Sequence, residues 1–176
     1  MFSLSLLLLT AAAVAIDPAF CRQVSSGNTG AAAWQRDGQG NLSISMDAHS
    51  TGEVSLRCRV KLPNLIDAAT LEFDHVLISF QPAGTKREGS GLTLFAGDCR
   101  GMLLRVAGED WIEAPHRAWT TTVAPGSKYV EVTVRLVDNS DRDPVRVDLR
   151  GLRVIPGRAG NADVCEPRSG GKFPYN

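Results

Sequence analysis

The residues best suited to chemistry lie in a short polar stretch around one tryptophan. Trp111 follows the turn-forming residues 108–110 and precedes Glu113, His116 and Arg117. An aromatic ring with a few polar neighbours is the combination that holds the apolar face and the hydroxyls of a sugar ring. A tryptophan beside a turn can equally cap the end of a sheet, so ligand binding and packing both remain open for Trp111.

Catalytic constellations are missing from the sequence. The histidines, His49, His75 and His116, are scattered and form no H-E-x-x-H motif. His75 lies in a largely apolar stretch and is expected in the core. The G-S-G run at residues 89–91 is not the five-residue nucleophile elbow. A glycosidase needs two carboxylates that face each other across a cleft, and the sequence does not show that the acids around Trp111 have this arrangement. The sequence therefore predicts a protein that binds and does not catalyse.

The elements that must position these residues are short strands. From residue 130 to residue 136 apolar and polar residues alternate, as in a strand with one buried face. The same pattern over residues 54–62 places Cys58 on the core face. Residues 125–126, Pro-Gly, predict a turn, and the change of apolar phase at Gly151 predicts a β-bulge. About eight to ten such strands predict an all-β fold, an antiparallel β-sandwich.

Three segments are predicted along the chain. Residues 1–15 form an apolar run ending in Ala13-Val14-Ala15, which predicts a cleaved signal peptide, with an uncleaved N-terminal anchor as the alternative. Residues 16–156 form the sandwich, and residues 157–176 form a tail rich in glycine and proline. No later stretch approaches the length of a membrane span. Export places the mature protein in the periplasm, at the cell envelope or outside the cell.

The charge balance argues against partners that need a strongly charged surface. The sequence has 19 basic and 19 acidic residues, so there is no electrostatic case for nucleic acid or an anionic membrane. Zinc is not indicated, because no C-x-x-C motif occurs and no histidine lies at ligand spacing from a cysteine.

The four cysteines of an exported chain predict two disulfides. Four cysteines allow three pairings, and the sequence alone does not fix one. Cys21 and Cys165 lie at the two ends of the domain, in segments that pair in many jelly rolls. Cys58 and Cys99 both lie in predicted strands. The expected pairs are Cys21–Cys165 and Cys58–Cys99.

Several stretches resemble the galactose-binding-like β-sandwich jelly rolls, the fold of many carbohydrate-binding modules. Trp34 matches a tryptophan that begins such domains, and residues 45–58, SMDAHSTGEVSLRC, match an early strand with one extra residue. Residues 119–136, WTTTVAPGSKYVEVTVRL, match a hairpin, and residues 145–154, VRVDLRGLRV, match the last strand. The resemblance extends over roughly residues 34–156 and implies the fold more than any one function.

The same resemblance implies a structural calcium ion. The family often holds it with an N-terminal acidic residue, loop carbonyls and an aspartate of the last strand, which Asp148 matches. Residues 26–30, SGNTG, offer no carboxylate for the N-terminal half of the site, whereas calcium usually takes more than one. A solvent-facing strand position is the other interpretation of Asp148.

Together these features predict an exported, non-catalytic binding module that recognises a carbohydrate at the cell envelope or outside the cell. The predicted ligand-binding residues are Trp111, Glu113, His116 and Arg117. The alternative is a structural or adhesion subunit that uses the same sandwich to contact an envelope protein. A stand-alone hydrolase is the third hypothesis.

Overall fold

The structure of the protein is a computed structural model. It describes residues 12–27, 30–49, 52–63, 66–80, 90–97, 99–105, 111–138, 145–164 and 166–167. Most of the predicted signal segment and Cys165 lie outside these ranges.

Strands make up most of the described residues. They are β1 Val14–Ala15, β2 Cys21–Ser26, β3 Ala31–Arg36, β4 Leu42–Ala48, β5 Glu53–Lys61, β6 Ala68–Phe80, β7 Gly91–Ala96, β8 Cys99–Arg105, β9 Trp111–Thr122, β10 Tyr129–Val137, β11 Val145–Pro156, β12 Asp163–Val164 and β13 Glu166–Pro167. A single 3₁₀ turn, Pro18–Phe20, precedes β2 within the described ranges. No helix in those ranges is long and apolar enough to cross a membrane.

The strands form two sheets in which early and late parts of the chain lie side by side. The seven-stranded sheet has the order β12-β9-β6-β11-β4-β3, with β1 also paired to β11, and the six-stranded sheet has the order β13-β8-β7-β10-β5-β2. Among the described strands, only the short pair of β12 and β9 is parallel. Central pairs such as β4 with β11 and β5 with β10 join distant parts of the sequence. This order is that of a jelly roll, and it confirms the predicted all-β sandwich.

The core lies between the inner faces of the two sheets. On β10, the alternate residues from Val130 to Leu136 are at most 5% exposed, while Glu131 between them faces solvent. Phe73 of β6 and Trp119 of β9 meet edge to face, with ring centroids 6.1 Å apart. Because successive side chains of a strand point to opposite faces, this core leaves each sheet with a polar outer face.

The disulfide joins Cys21 to Cys58, so the predicted pairs Cys21–Cys165 and Cys58–Cys99 are wrong. β2 runs along one edge of the six-stranded sheet and places Cys21 directly opposite Cys58, with their Cα atoms 4.0 Å apart. The segment that follows Cys165 forms β13 at the other edge of that sheet. Cys99 lies in β8, which β7 and β10 separate from β5. Cys58 and Cys99 therefore lack the close approach of Cα atoms that a disulfide needs, and Cys21 is already bonded to Cys58.

Residues at both ends of the described chain attach to the sandwich. Val14–Ala15 pair with β11, and Ile16 after them is fully buried. Beyond β11, the Thr70 hydroxyl donates to the Gly157 carbonyl at 2.9 Å and accepts from the Ala159 amide at 3.0 Å. The segment boundaries placed at residues 15 and 156 remain predictions.

Candidate functional site

A groove of about 890 Å³ crosses the outer face of the seven-stranded sheet. β3, β4, β6 and β11 supply its lining, and we call it the sheet groove. Its polar lining residues are Gln35, Asp37, Ser43, Ser45, Asp74, His75, Arg146, Asp148 and Arg150. Trp34, which is half-buried and packs against the core, also lines it. A groove of this size accommodates an organic ligand larger than a single small group.

The register of the sheet brings two of the four predicted β9 residues, Trp111 and Glu113, to the same face as the groove. Residues directly opposite each other on neighbouring strands share a face. Two such rows run from β9 to β4. One row consists of Glu113, Leu77, Asp148 and Ser45, and the other consists of Trp111, Ser79, Arg146 and Asp47. Of Trp111, only the backbone position is described. Trp111 and Glu113 therefore adjoin the groove by register.

A change of apolar phase within β6 adds two adjacent polar residues to this face. Phe73 and Val76 are both fully buried, so the intervening Asp74 and His75 both lie away from the core. On β11 the phase changes at Gly151, where φ is +70° and the register with β4 shifts, which confirms the predicted bulge. The interpretation of His75 as a core histidine is wrong, because its side chain is 33% exposed.

Arg153 of β11 ties the acids of β6 together. Its Nε donates to the Glu72 carboxylate, and its Nη1 lies 2.8 Å from Oδ1 of Asp74 and donates to the Gly151 carbonyl at 2.9 Å. Burial lowers the pKa of Arg153, but hydrogen bonds to Asp74 and Glu72 outweigh this and raise the pKa above its ordinary value. The side chains of Arg153 and Glu72 are only 19% and 12% exposed. Charge-assisted hydrogen bonds with so little access to water fix these side chains in place.

Two of the four predicted ligand-binding residues contact β6, and of these two His116 contacts an acid that Arg153 holds. The Glu113 carboxylate is hydrogen bonded to Nε2 of His75. Nε2 of His116 lies 3.5 Å from Oε2 of Glu72. Arg117 is exposed, and no carboxylate of the described residues lies within ion-pair distance of it. The structure therefore joins Glu113 to His75 and His116 to Glu72, both residues of β6. Arg117 has no such contact among the described residues.

The sequence pattern did not single out the acids of β6 or the arginine that binds them. Glu72 and Asp74 stand two residues apart in a predicted strand, so their shared face was detectable from the sequence. Their meeting with Arg153, 81 residues after Glu72, was not detectable. It depends on the pairing of β6 with β11, which no local pattern specifies.

Asp148, the candidate calcium ligand, lies on the outer face of β11 beside Arg146. Nη2 of Arg146 is 3.4 Å from Oδ1 of Asp148, and this hydrogen bond raises the pKa of Arg146. Over the described ranges, no three acidic, histidine or cysteine side chains converge in a way that could hold a metal ion. Because calcium needs several oxygen ligands and a guanidinium already contacts this carboxylate, the residues around Asp148 do not fit the implied ion.

Comparison with known proteins gives likenesses of shape only. No family model matches the sequence, and no curated protein matches it significantly. The enzymatically active domain of tailspike protein 4 from bacteriophage CBA120 matches with a TM-score of 0.48 and 9% identity, over 80% of this chain and 20% of that one. The chain thus spans one fifth of the tailspike chain.

Two carbohydrate-binding modules are among the other similar structures. CBM61 in complex with β-1,4-galactotriose has a TM-score of 0.42 and 12% identity, over 77% of this chain and 88% of that one. The CBM22-1 xylan-binding domain from Paenibacillus barcinonensis has a TM-score of 0.38 and 11% identity, over 85% of this chain and 100% of that one. Likenesses this weak carry no functional argument, and the jelly roll is assigned from the strand order of the chain itself.

The chemistry of the sheet groove is hydrogen bonding to a polar ligand. The carboxylates of Asp74 and Asp148 accept hydrogen bonds, Arg150 donates them, and the hydroxyls of Ser43 and Ser45 do both. These side chains stand on strands and several are held by ion pairs. Little ordering of the surface is therefore needed when a ligand binds.

Proposed function

We propose that this protein is an exported, non-catalytic module that binds a carbohydrate chain in the sheet groove. The observation that carries the proposal is a groove of about 890 Å³ whose outer strand positions offer carboxylate, hydroxyl and guanidinium groups side by side. A ligand with many hydroxyls uses such a mixture, because each hydroxyl both donates and accepts a hydrogen bond.

The dimensions of the groove favour an oligosaccharide over a single sugar. From β6 to β3 the lining crosses three inter-strand steps, about 14 Å at the usual strand spacing. Trp34 lines the groove at β3. Trp111 lies on β9, opposite Ser79 of β6, on the other side of the groove. We assign Trp111 the role of an aromatic platform for a sugar ring at that side, with Glu113 two residues further along β9.

Export is supported by the disulfide and by the first residues of the sequence. Disulfides persist in oxidising compartments, and Cys21–Cys58 is one. The apolar run that ends at Ala15 has the pattern of a signal peptide. N-terminal sequencing of the protein recovered outside the cytoplasm tests this, with Ile16 expected as the first residue. A chain that still begins at Met1 would contradict cleavage.

The binding proposal is tested with the processed protein on an array of neutral glycans, followed by calorimetry on the glycans that bind. Arg150→Ala and Asp148→Asn change groove residues, while Arg158→Ala and Asp163→Asn make the same changes at exposed positions outside it. Loss of a hydrogen bond to a charged group should weaken binding about tenfold or more. The controls should bind as the wild type does. Trp111→Ala should also weaken binding if its ring is the platform.

Two results would overturn this proposal. If no glycan binds and crosslinking captures a stoichiometric envelope protein, the protein is a structural or adhesion subunit. If incubation with a bound polysaccharide releases new reducing ends and Glu113→Gln abolishes the release, the protein is an enzyme.

A further inference from the structure

The outer face of the six-stranded sheet, opposite the sheet groove, carries a row of basic residues. Arg57, Arg59 and Lys61 alternate with core residues along β5 and are all exposed. Arg22 of β2, also exposed, is paired directly opposite Arg57. Like charges directly opposite each other on neighbouring strands are destabilising. The packing of the core therefore does not explain this arrangement.

Three of these arginines surround a depression of about 370 Å³ beside the disulfide. We call it the arginine depression, and its lining residues are Ala19, Phe20, Cys21, Arg22, Arg57, Cys58, Arg59 and Glu131. Three positive side chains and one negative side chain leave it with an excess of positive charge. The neutral balance of the whole sequence hides this local excess.

No ion pair joins the arginines of this depression to an acid among the described residues, although the charge of Arg57 acts on Glu53 at longer range. No carboxylate oxygen there lies within 4.0 Å of Arg22, Arg57 or Arg59, although Glu131 is paired in register with Arg59. Glu53, the next acid along β5, is held by Arg135 instead. Guanidinium groups bind carboxylate and sulfate oxygens with two parallel hydrogen bonds. An anionic group in the depression would relieve the repulsion between Arg22 and Arg57.

Exposed apolar side chains lie on the same face. The exposed large apolar residues of the described chain are Phe20, Val24 and Tyr129, whose exposed fractions are 64%, 38% and 51%. Phe20 lines the depression, and Tyr129 is paired with Lys61 two strands away from β2. Two rings on an otherwise basic face offer packing surfaces for sugar rings. The convergence of guanidinium groups on one depression favours a discrete anionic group over a broad charged surface.

We propose that the arginine depression binds an acidic oligosaccharide, with a carboxylate or sulfate group among Arg22, Arg57 and Arg59 and a sugar ring against Phe20. This site lies on the opposite face of the sandwich from the sheet groove. It does not depend on the function proposed for that groove, and each can fail without the other.

The test measures binding of the processed protein to a galacturonate hexamer, a heparin-derived hexasaccharide and the neutral cellohexaose by calorimetry at low and high salt. The expected result is binding of one or both acidic oligomers, weakened by salt, and no competition by cellohexaose. Binding of the galacturonate alone assigns a carboxylate site, and binding of the heparin fragment alone assigns a sulfate site. Arg57→Gln and Arg59→Gln should each weaken binding about tenfold or more.

A matched control and a folding readout keep the test decisive. Arg158→Gln removes an exposed guanidinium outside both the depression and the sheet groove and should leave the affinity for the acidic oligomer unchanged. Arg57→Gln should unfold at the same denaturant concentration as the wild type or a higher one, because it removes the charge opposite Arg22. The proposal is overturned if neither acidic oligomer binds, if both arginine variants bind like the wild type, or if only anionic lipid vesicles bind.

Discussion

Gly151 leaves the space that the carboxylate of Asp74 occupies. A Cβ atom on Gly151 would lie 2.0 Å from Oδ2 of Asp74, and the residue has a φ of +70°. One glycine therefore serves two needs, the left-handed backbone of the bulge and room for an acid that Arg153 holds. The polar network of the sheet groove depends on this contact.

Replacing Gly151 by alanine should destabilise the protein more than the same change at Gly157. Both glycines have positive φ, but nothing lies within 4 Å of a Cβ built on Gly157. Each variant should lose about 1–3 kcal/mol from backbone strain. Gly151→Ala should lose more, because Asp74 must also move. Urea denaturation measures both losses, and equal losses would show that the Asp74 contact is unimportant.

The disulfide assignment predicts both a peptide and a stability loss. Digestion without reduction should yield a fragment that joins Cys21 to Cys58, which are 37 residues apart. Cys21→Ala with Cys58→Ala should lower the free energy of unfolding by about 3–4 kcal/mol on the chain-entropy estimate for a loop of this length. Recovery of a fragment joining Cys21 to Cys165 would contradict the sheet order.

Glu53 makes part of the stability depend on pH. Burial raises its pKa, but hydrogen bonds from Arg135 and Ser55 and the charge of Arg135 outweigh this and hold the pKa below its ordinary value. A lowered folded-state pKa stabilises the protein above the unfolded glutamate pKa of about 4.3, and the contribution is lost as the pH falls through the folded value. Glu53→Gln should therefore unfold more easily than the wild type at pH 7, and the difference should shrink at acidic pH.

The matched control for Glu53 is Glu131→Gln, the same change at an exposed residue of the same sheet. Its stability difference from the wild type should be small at pH 7. A Glu53→Gln variant whose difference from the wild type stays constant down to pH 3 would refute the pH dependence.

Gln23 protects the edge of the seven-stranded sheet. Its Oε1 accepts from the Ala32 amide at 3.0 Å, and its Nε2 donates to the Gly30 carbonyl at 3.2 Å. β3 is an edge strand, and unpaired backbone groups there are a template for association with another chain. Gln23→Ala should therefore increase self-association, measured by analytical ultracentrifugation across a concentration series.

Gln35→Ala serves as the control for Gln23, because Gln35 is an exposed glutamine on β3 itself. It should remain in the same association state as the wild type. If both variants associate equally, loss of a polar side chain from this surface explains the effect and protection of the edge does not.

Local patterns were enough to predict the fold class. Alternation along residues 54–62 and 130–136 identified β5 and β10, and the glycine at a phase change identified the bulge of β11. For β2 and β3 the sequence left loop and irregular strand both open, because edge strands with many small and polar residues carry no clear alternation. Cys21 received the wrong partner because its pairing was inferred from the end segments of other jelly rolls, whereas the register of β2 with β5 decides it.

Of the candidate site, the sequence predicted only the residues that lie on one strand, β9. The sequence pointed to Glu113 and His116 on β9, and the structure connects them to His75 and Glu72. The residues of β6 were not selected, because a polar residue in a strand looks the same whether it meets solvent or a partner. His75 was expected in the core, because a change of phase between Phe73 and Val76 cannot be located from apolar neighbours alone.

The sequence by itself determined that alternate residues of each strand are buried between two antiparallel sheets. Apolar residues at every second position are a local pattern, and only a strand with one buried face accommodates it. The tertiary structure alone decided which strands became neighbours. That choice placed Cys21 opposite Cys58, Arg22 opposite Arg57, and Arg153 beside Glu72 and Asp74. Strand order depends on how the apolar faces of all the strands pack around one core. The free energy of that packing depends on residues far apart in the sequence, so no single stretch of residues reveals it.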